Sequence, residues 1–470
     1  MKQLIKLKIL IVLVAVAAAG CKKQLSTPAP DLITEEKAFS DLAGLERGIV
    51  GAYATFNGSV NDREVYANAL YSDEAMLPSE NTTGRGVGAY RWQTDPGTGE
   101  VTNAWGDFYF AIDRVNRLLG QIDNVPAGTS SEITTKNRIK GEALALRAYA
   151  HLQLLINFAN GFGPDALAIP YMETSVISKP SRLTVAQVFG KIRADLTAAS
   201  GLIPATGLPS TFNNRTRITL SVVYAIQARA ALYEKRWDDA IAAATLAINA
   251  MPLATIAQYP SIWTDASTNE VIWKLKRVAG DARIGDIFFD RGQSIIVYAV
   301  SEKLRSTFNT TTDVRYASLV RLRGAGRFSL GKYVGGDAAN PNLADAKIFR
   351  TAEMYLIRAE AYAEKDQLAN ATADINTLLA NRITGYTNQT FATKAEVINA
   401  VMQERFKELA FEGHRMNDLR RRLLPVNRIA ADAINAQGAI NLTSADRVYN
   451  WPIPGAEILA NENMRQNTGY

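Results

Sequence analysis

The densest grouping of residues able to do chemistry is Glu404–Arg422, ERFKELAFEGHRMNDLRRR. Glu404, Glu408 and Glu412 fall at i, i+4 and i+8, so on a helix they form one acidic stripe. Arg405 and Arg415 lie three residues from Glu408 and Glu412, within pairing range on the same helix. With His414 beside them, these carboxylates could act as acid–base catalysts. The same spacing describes an ion-paired seam between helices, since charge networks perturb carboxylates without making them catalytic. We adopt the seam. A second carboxylate pair, Asp73 and Asp281, could be cast as a glycosidase couple, which needs carboxyls ~5–9.5 Å apart, but no catalytic motif surrounds either residue.

Other chemistries have less material. The only histidines, His151 and His414, are far apart and form no His-x-x-x-His pair, so no zinc site or other metal centre is expected. His151 reads as a packed residue. The Gly-rich run Thr83–Gly88 follows no clear strand and opens no helix, so a dinucleotide fingerprint is unsupported and no cofactor is expected. The net charge of +6 includes Lys2, Lys6 and Lys8 of the N-terminal leader; without them the balance is 49 basic to 46 acidic residues. Arg420–Arg422 is the one arginine run and reads as a helix C-terminus complementing its dipole. Nucleic acid is therefore not an expected partner.

The 470 residues, 47% of them hydrophobic, suffice for a large core. Met1–Gly20 carries lysines and then an apolar run, Ile9–Ala19, too short for a bilayer that needs about 20 residues. It fits a secretory signal. Small residues, Ala18-Ala19-Gly20, stand directly before Cys21, the only cysteine. That resembles a bacterial lipobox, whose cysteine becomes the lipidated first residue, and we expect lipidation at Cys21. Residues 21–33 would form an extended tether.

The elements that must position the charged groups are mostly helices. Spacing predicts one from Thr34, as N-cap, to about Phe56, another over Ala104–Asn124, and a third over Lys136–Asn160 stopped by Gly161-Phe162-Gly163-Pro164. Asn57–Thr102 reads as irregular. Ser221–Ala254 fits a 34-residue helix-pair repeat, with Ala240, Ala244 and Ala247 at positions where helices approach closely. The pattern returns at Ala352–Leu378, loosely at Ile139–Asn160 with Leu183–Ile203, and again from Lys394 on a helix through the acidic stripe, which Gly413 interrupts as a helix end or a point of close packing. Four such pairs, near 137–203, 221–254, 350–383 and 394–440, would stack as the scaffold of one domain, 34–470. The insertion 255–346 holds strand-like runs, Glu270–Arg277 and Ser294–Val300. Prolines in Trp451-Pro452-Ile453-Pro454 point to an extended C-terminal strap without a helix.

Long motifs carry a family resemblance. ERFKELAFEGHRMNDLRR, RAYAHLQLLINFANGFG, Asn269–Trp273 (NEVIW), Tyr449–Glu457 and the terminal Gln466–Tyr470 together resemble the SusD/RagB family of nutrient-binding lipoproteins. The resemblance implies a mainly α, SusD-like fold of four TPR-like helix pairs with a loop-rich insertion carrying short strands. It implies a binding protein, not an enzyme, lipid-anchored to the outer membrane and facing the cell exterior, although Lys22 and Lys23 stand where surface-exported members often have acids. Its partners would be a SusC-like TonB-dependent transporter and an oligosaccharide, with a peptide, or protein partners only, as alternatives. Sugar sites combine aromatic faces with hydrogen-bonding side chains. The loops matching the family's binding regions offer Asp73, Arg85, Tyr90 and Trp92, then Arg283, Phe288, Phe289 and Tyr298; each aromatic could equally be core.

Overall fold

The computed structural model describes residues 34–470 apart from 325 and 337–338, so the leader, Cys21 and the tether lie outside the described residues. The first expected helix is broken. A single turn, Glu35–Ala38, is followed by α1, Leu42–Ala54, which starts afresh because Asp41 accepts from the Gly44 amide at 2.6 Å. Thr34 stands at the N-cap position without a side-chain cap bond. Asn57–Thr102 is not irregular throughout: helical turns continue through a π-helix, Val60–Ala67, to Asn68–Tyr71. The apolar side chains of Val60, Val65, Ala69 and Leu70 are buried there, which favours continued helix over loop.

Next come α2, Gly99–Ile122, α3, Ser130–Phe158, and α4, Val185–Leu202. Thr129 and Glu132 form a reciprocal capping box at the start of α3, and Thr184 with Gln187 does the same for α4. Helices α5, Leu220–Glu234, and α6, Trp237–Ala250, turn tightly through Lys235 in a left-handed conformation. Ala240, Ala244 and Ala247 are fully buried where the two approach. Helices α7, Thr351–Glu364, and α8, Leu368–Ala380, repeat the design, with Asp366 as the left-handed turn residue. The pairs stack in order: α4 on α5, α6 on α7, and α7 on α9, Lys394–Glu408.

The last pair departs from expectation. The helix ends at Glu408 and resumes only as α10, Arg415–Arg421. Between them Phe411 is left-handed (φ 58°), and a side chain on Gly413 (φ 86°) would lie 1.9 Å from the Glu64 carbonyl oxygen. Glu412 is therefore off the helix, and the expected Arg405–Glu408 and Arg415–Glu412 pairs do not form. Arg405 pairs with Asp418 at 2.8 Å and Arg415 with Asp73 at 2.7 Å. Among the described residues no long second helix completes this pair. Arg420 and Arg421 do more than face a helix dipole: Arg420 donates to the Ile156 and Ala159 carbonyls at the end of α3, and Arg421 binds Glu360.

Strands are short. They are β1, Ala75–Met76; β2, Val271–Leu275; β3, Phe289–Asp290; β4, Ile295–Ile296; β5, Ala299–Val300; β6, Val320–Leu322; β7, Phe328–Leu330; β8, Ala346–Arg350; β9, Val426–Asn427; and β10, Asn441–Leu442. The largest sheet has the order β1-β5-β7-β6; β2 pairs with β8, β3 with β4, and β9 with β10, all antiparallel. The C-terminal segment contains a short helix, Gly455–Ala460, which its prolines permit because Pro454 precedes the first turn.

The acidic stripe meets cations from the insertion and the scaffold together. Glu408 accepts from Arg350 (2.8 Å), Arg382 (3.0 Å) and Arg315 (3.3 Å). Glu412 accepts from Lys332 and Arg350, each at 2.7 Å, and Glu270 joins Arg350 to Arg382. Burial opposes ionisation of Glu408, but the three guanidinium groups hold its carboxyl well below the usual carboxylate range. Replacing Glu408 with Gln removes the anion that three buried guanidinium groups share, although each keeps another carboxylate, and should cost about 3 kcal/mol of stability. Urea unfolding of the purified variant checks this.

Candidate functional site

Asp73 is not available to a ligand. Arg415 donates to its two oxygens at 2.7 and 2.9 Å, and the Lys303 ammonium at 2.7 Å. Burial would raise its pKa, but Arg415 and Lys303 hold it at about 2. That also removes the Asp73–Asp281 hydrolase couple, since an acid–base partner must be free to exchange a proton. Asp281 accepts from the Val278 amide at 2.8 Å.

Tyr90, Phe288 and Tyr298 are fully buried, so of the two readings open for them, ligand contact or core, the structure has core and corrects the first. With Tyr66 and Phe411 they build an aromatic core: Tyr66 meets Phe288 at 6.1 Å and Tyr298 at 6.0 Å, Tyr90 meets Tyr298 at 5.8 Å, and Phe288 meets Phe411 at 5.2 Å. Their hydroxyls hold loops in place. Tyr298 donates to the Arg85 carbonyl at 2.9 Å and Tyr90 to the Asp432 carbonyl at 2.7 Å. Phe289, at 7% exposed, packs with Ile296, Ala299 and Met76 and carries the Arg323 guanidinium 3.8 Å above its ring.

Arg85, Trp92 and Arg283 reach the surface. Gly86 (φ 65°) begins a single helical turn, Val87–Tyr90, so the glycine run does open a short helix. A side chain on Gly86 would lie 2.2 Å from the Tyr66 hydroxyl, so the loop lies directly on the aromatic core. Arg85 is 44% exposed and pairs with Asp290 on β3 at 3.1 Å. Trp92 is half-buried, its indole N–H donating to the Tyr71 carbonyl at 3.2 Å. Arg283 lies 4.0 Å from Asp286.

The loop 79–88, the β3–β4 hairpin and the β6–β7 hairpin meet here. Glu80 accepts from Arg327 at 3.1 Å and from the Ile296 amide at 3.2 Å, and Asn81 donates to the Val297 carbonyl at 2.9 Å. Two features escape sequence reasoning. Arg428, buried between the rings of Tyr90 (3.8 Å) and Trp92 (4.4 Å), donates to the carbonyls of Leu70, Ser72, Tyr90 and Ala439. No local pattern reveals such a role. Arg321, Arg323 and Arg327 lie within seven residues without an acid, which a count of charge by hairpin would have found. Open grooves also lie along α4–α6 (about 320 Å³) and along α8 (about 870 Å³); neither includes a residue singled out from the sequence as binding ligand.

A model of the SusD family matches residues 299–470, and one described as "Starch-binding associating with outer membrane" matches residues 30–232. The chain belongs to the SusD/RagB family. This family comprises binding proteins, not catalysts. The starch-binding protein SusD of Bacteroides thetaiotaomicron is 40% identical over 128 residues, 27% of this chain and 22% of that protein's length. SusD-like protein P2 of Formosa agariphila is 24% identical over 99% of this chain and all of its own. A SusD superfamily structure from Bacteroides thetaiotaomicron superposes with TM-score 0.80 at 22% identity, covering 91% of this chain and 99% of that one. A SusD-like carbohydrate binding protein from Bacteroides vulgatus gives 0.76 at 23% identity, covering 90% and 97%. The fold is the mainly helical SusD-like fold with short strands.

Beneath the loops, Glu74 is fully buried; one oxygen accepts from the Phe411 amide at 3.2 Å and the other finds no hydrogen-bond donor among the described residues. Burial, opposed by that amide and reinforced by the Asp73 charge, pushes its pKa up to about 8, while Lys332 and Arg415 act in the lowering direction. The folded protein therefore holds this proton more tightly than the unfolded chain does. The contribution is full below the reference value of 4.5 and is lost as pH rises through about 8. Glu74→Gln should flatten the fall in stability over that range, about 5 kcal/mol at most, as thermal unfolding across pH measures.

Proposed function

We propose that this protein is a lipid-anchored nutrient-binding protein of the outer membrane, which captures oligosaccharide and passes it to a SusC-like TonB-dependent transporter. What carries the reading is that SusD-type family models match both ends of the chain, 30–232 and 299–470. The name of the first relative, a starch-binding protein, and the description of the N-terminal match favour a glycan ligand and outer-membrane association. In this reading Cys21 carries the lipid, residues 21–33 form the tether, and 34–470 form one domain. The loop face over the aromatic core receives the glycan through Arg85, Trp92 and Arg283, and the stacked helix pairs are its support.

The arrangement suits reversible capture. A rigid layer beneath the loops limits the ordering that binding must impose on the protein. Partly exposed guanidinium groups supply directed donors to sugar oxygens, and the half-buried Trp92 offers apolar surface for a ring. No bond-breaking step is required of these side chains.

Calorimetric titration of the purified protein with a panel of oligosaccharides should show saturable binding to at least one, without hydrolysis products. Arg85→Ala and Arg283→Ala should weaken it about tenfold each, the scale of a lost charged hydrogen bond, with Tm unchanged. Binding of peptides and of no glycan would overturn the reading in favour of a peptide ligand. Separately, Cys21→Ser should abolish incorporation of labelled palmitate and release the protein from the membrane fraction; undiminished labelling would refute anchoring at Cys21.

A further inference from the structure

The β6–β7 hairpin has an unusual charge imbalance. Val320–Leu330 contains Arg321, Arg323 and Arg327 and no acidic residue. Strand alternation puts Arg321 and Arg323 on the same side, and the register sets Arg321 opposite Ser329. Arg323 donates from Nε to the Ser329 hydroxyl at 3.1 Å and sits 3.8 Å over the Phe289 ring. These contacts fix the direction of its guanidinium fork without neutralising it.

The neighbouring cations are neutralised. Arg327 is paired with Glu80, and Arg85 with Asp290. Arg321 and Arg323 have no carboxylate partner among the described residues. Arg321 is exposed, and Arg323 is partly so. Burial, with the charges of Arg321 and Arg327 beside it, pushes the Arg323 pKa below its ordinary value. Like charges are thus gathered at the rim of the loop face, one of them held in a fixed orientation by an aromatic ring. Neutral hydroxyls would not relieve that repulsion; an anionic group would, because a planar guanidinium fork matches a carboxylate or sulfate with paired hydrogen bonds.

We propose that the oligosaccharide bound at this face is acidic, with a carboxylate or sulfate ester seated on Arg321 and Arg323. This rests on the loop face being the glycan site and narrows the class of glycan. Uronate and sulfate share the required chemistry, so the test separates them.

The purified protein is titrated with oligogalacturonate, which has carboxylates only, with a sulfated galactan oligosaccharide, which has sulfates only, and with neutral maltoheptaose. Tight binding of either acidic ligand, weakening as salt rises from about 50 to about 500 mM, is expected. Arg321→Gln combined with Arg323→Gln should reduce that affinity at least about tenfold, and exposed Arg321→Gln alone should reduce it in part, with Tm unchanged in the single variant. If maltoheptaose binds and neither acidic ligand does, the acidic assignment falls while glycan capture stands. If no oligosaccharide binds, both fall. Undiminished acidic binding in the double variant also overturns the assignment, as does a variant that loses only co-purification with a membrane protein, which would make the hairpin a protein contact.

Discussion

The ion network around Glu408 is the constraint on which the arrangement of this protein depends. Glu270, Glu408 and Glu412 meet Arg315, Arg350, Arg382 and Lys332 in the interior. These residues come from distinct places. Glu270 precedes β2, Arg315 lies on the helical turn before β6, Lys332 follows β7, Arg350 ends β8, and Arg382 follows α8. Buried charges are tolerated only when their partners are in register, so the network fixes the insertion against the scaffold with little freedom to slide. Past Glu408 the chain leaves the helix through left-handed Phe411 and Gly413, yet Glu412 still reaches Arg350 and Lys332, and Phe411 packs against Phe288.

A second layer builds upward from that break. Phe411, Phe288, Tyr66, Tyr298 and Tyr90 form an apolar floor, and Arg428 ties four backbone carbonyls over it. Asp73, Arg415 and Lys303 fasten the edge. The loops above have few regular hydrogen bonds of their own, because their strands are two or three residues long. Their positions derive from the floor: Tyr298 holds the Arg85 carbonyl, and Gly86 lies against Tyr66. A loop held this way can carry exposed charged side chains without becoming loose.

The scaffold was more legible in the sequence than the site for a physical reason. Helix pairs announce themselves locally: Ala240, Ala244 and Ala247 mark close approach, and Gly161-Phe162-Gly163-Pro164 marks a helix end. The family motifs were legible because they encode buried contacts, as Trp273 and Trp451 show by their burial. Partner choice was not legible. Arg415 was expected three residues away on Glu412 and instead binds Asp73, 342 positions distant. For the aromatics near the loops the sequence leaves core and ligand contact equally open for the same reason. A tyrosine at a loop exit is compatible with stacking on a ligand or with flooring the loop, and long-range packing alone decides which.

The closure of those aromatics changes what must discriminate between ligands. An open platform of tyrosines would select sugars by ring shape, largely regardless of charge. Here Tyr90, Phe288 and Tyr298 are buried, Phe289 is nearly so, and Trp92 is the sequence-selected aromatic that stays half open. Less of the selectivity can then come from apolar stacking, and more must come from directed polar groups around the rim. Those groups are mainly arginines. Where a basic side chain at the rim has an acidic neighbour, as Arg85 has Asp290, its charge is largely spent within the protein. Where it has none among the described residues, as at Arg321 and Arg323, the charge remains for whatever arrives. The same packing that makes the floor unreactive thus shifts recognition to the electrostatics of the hairpin above it.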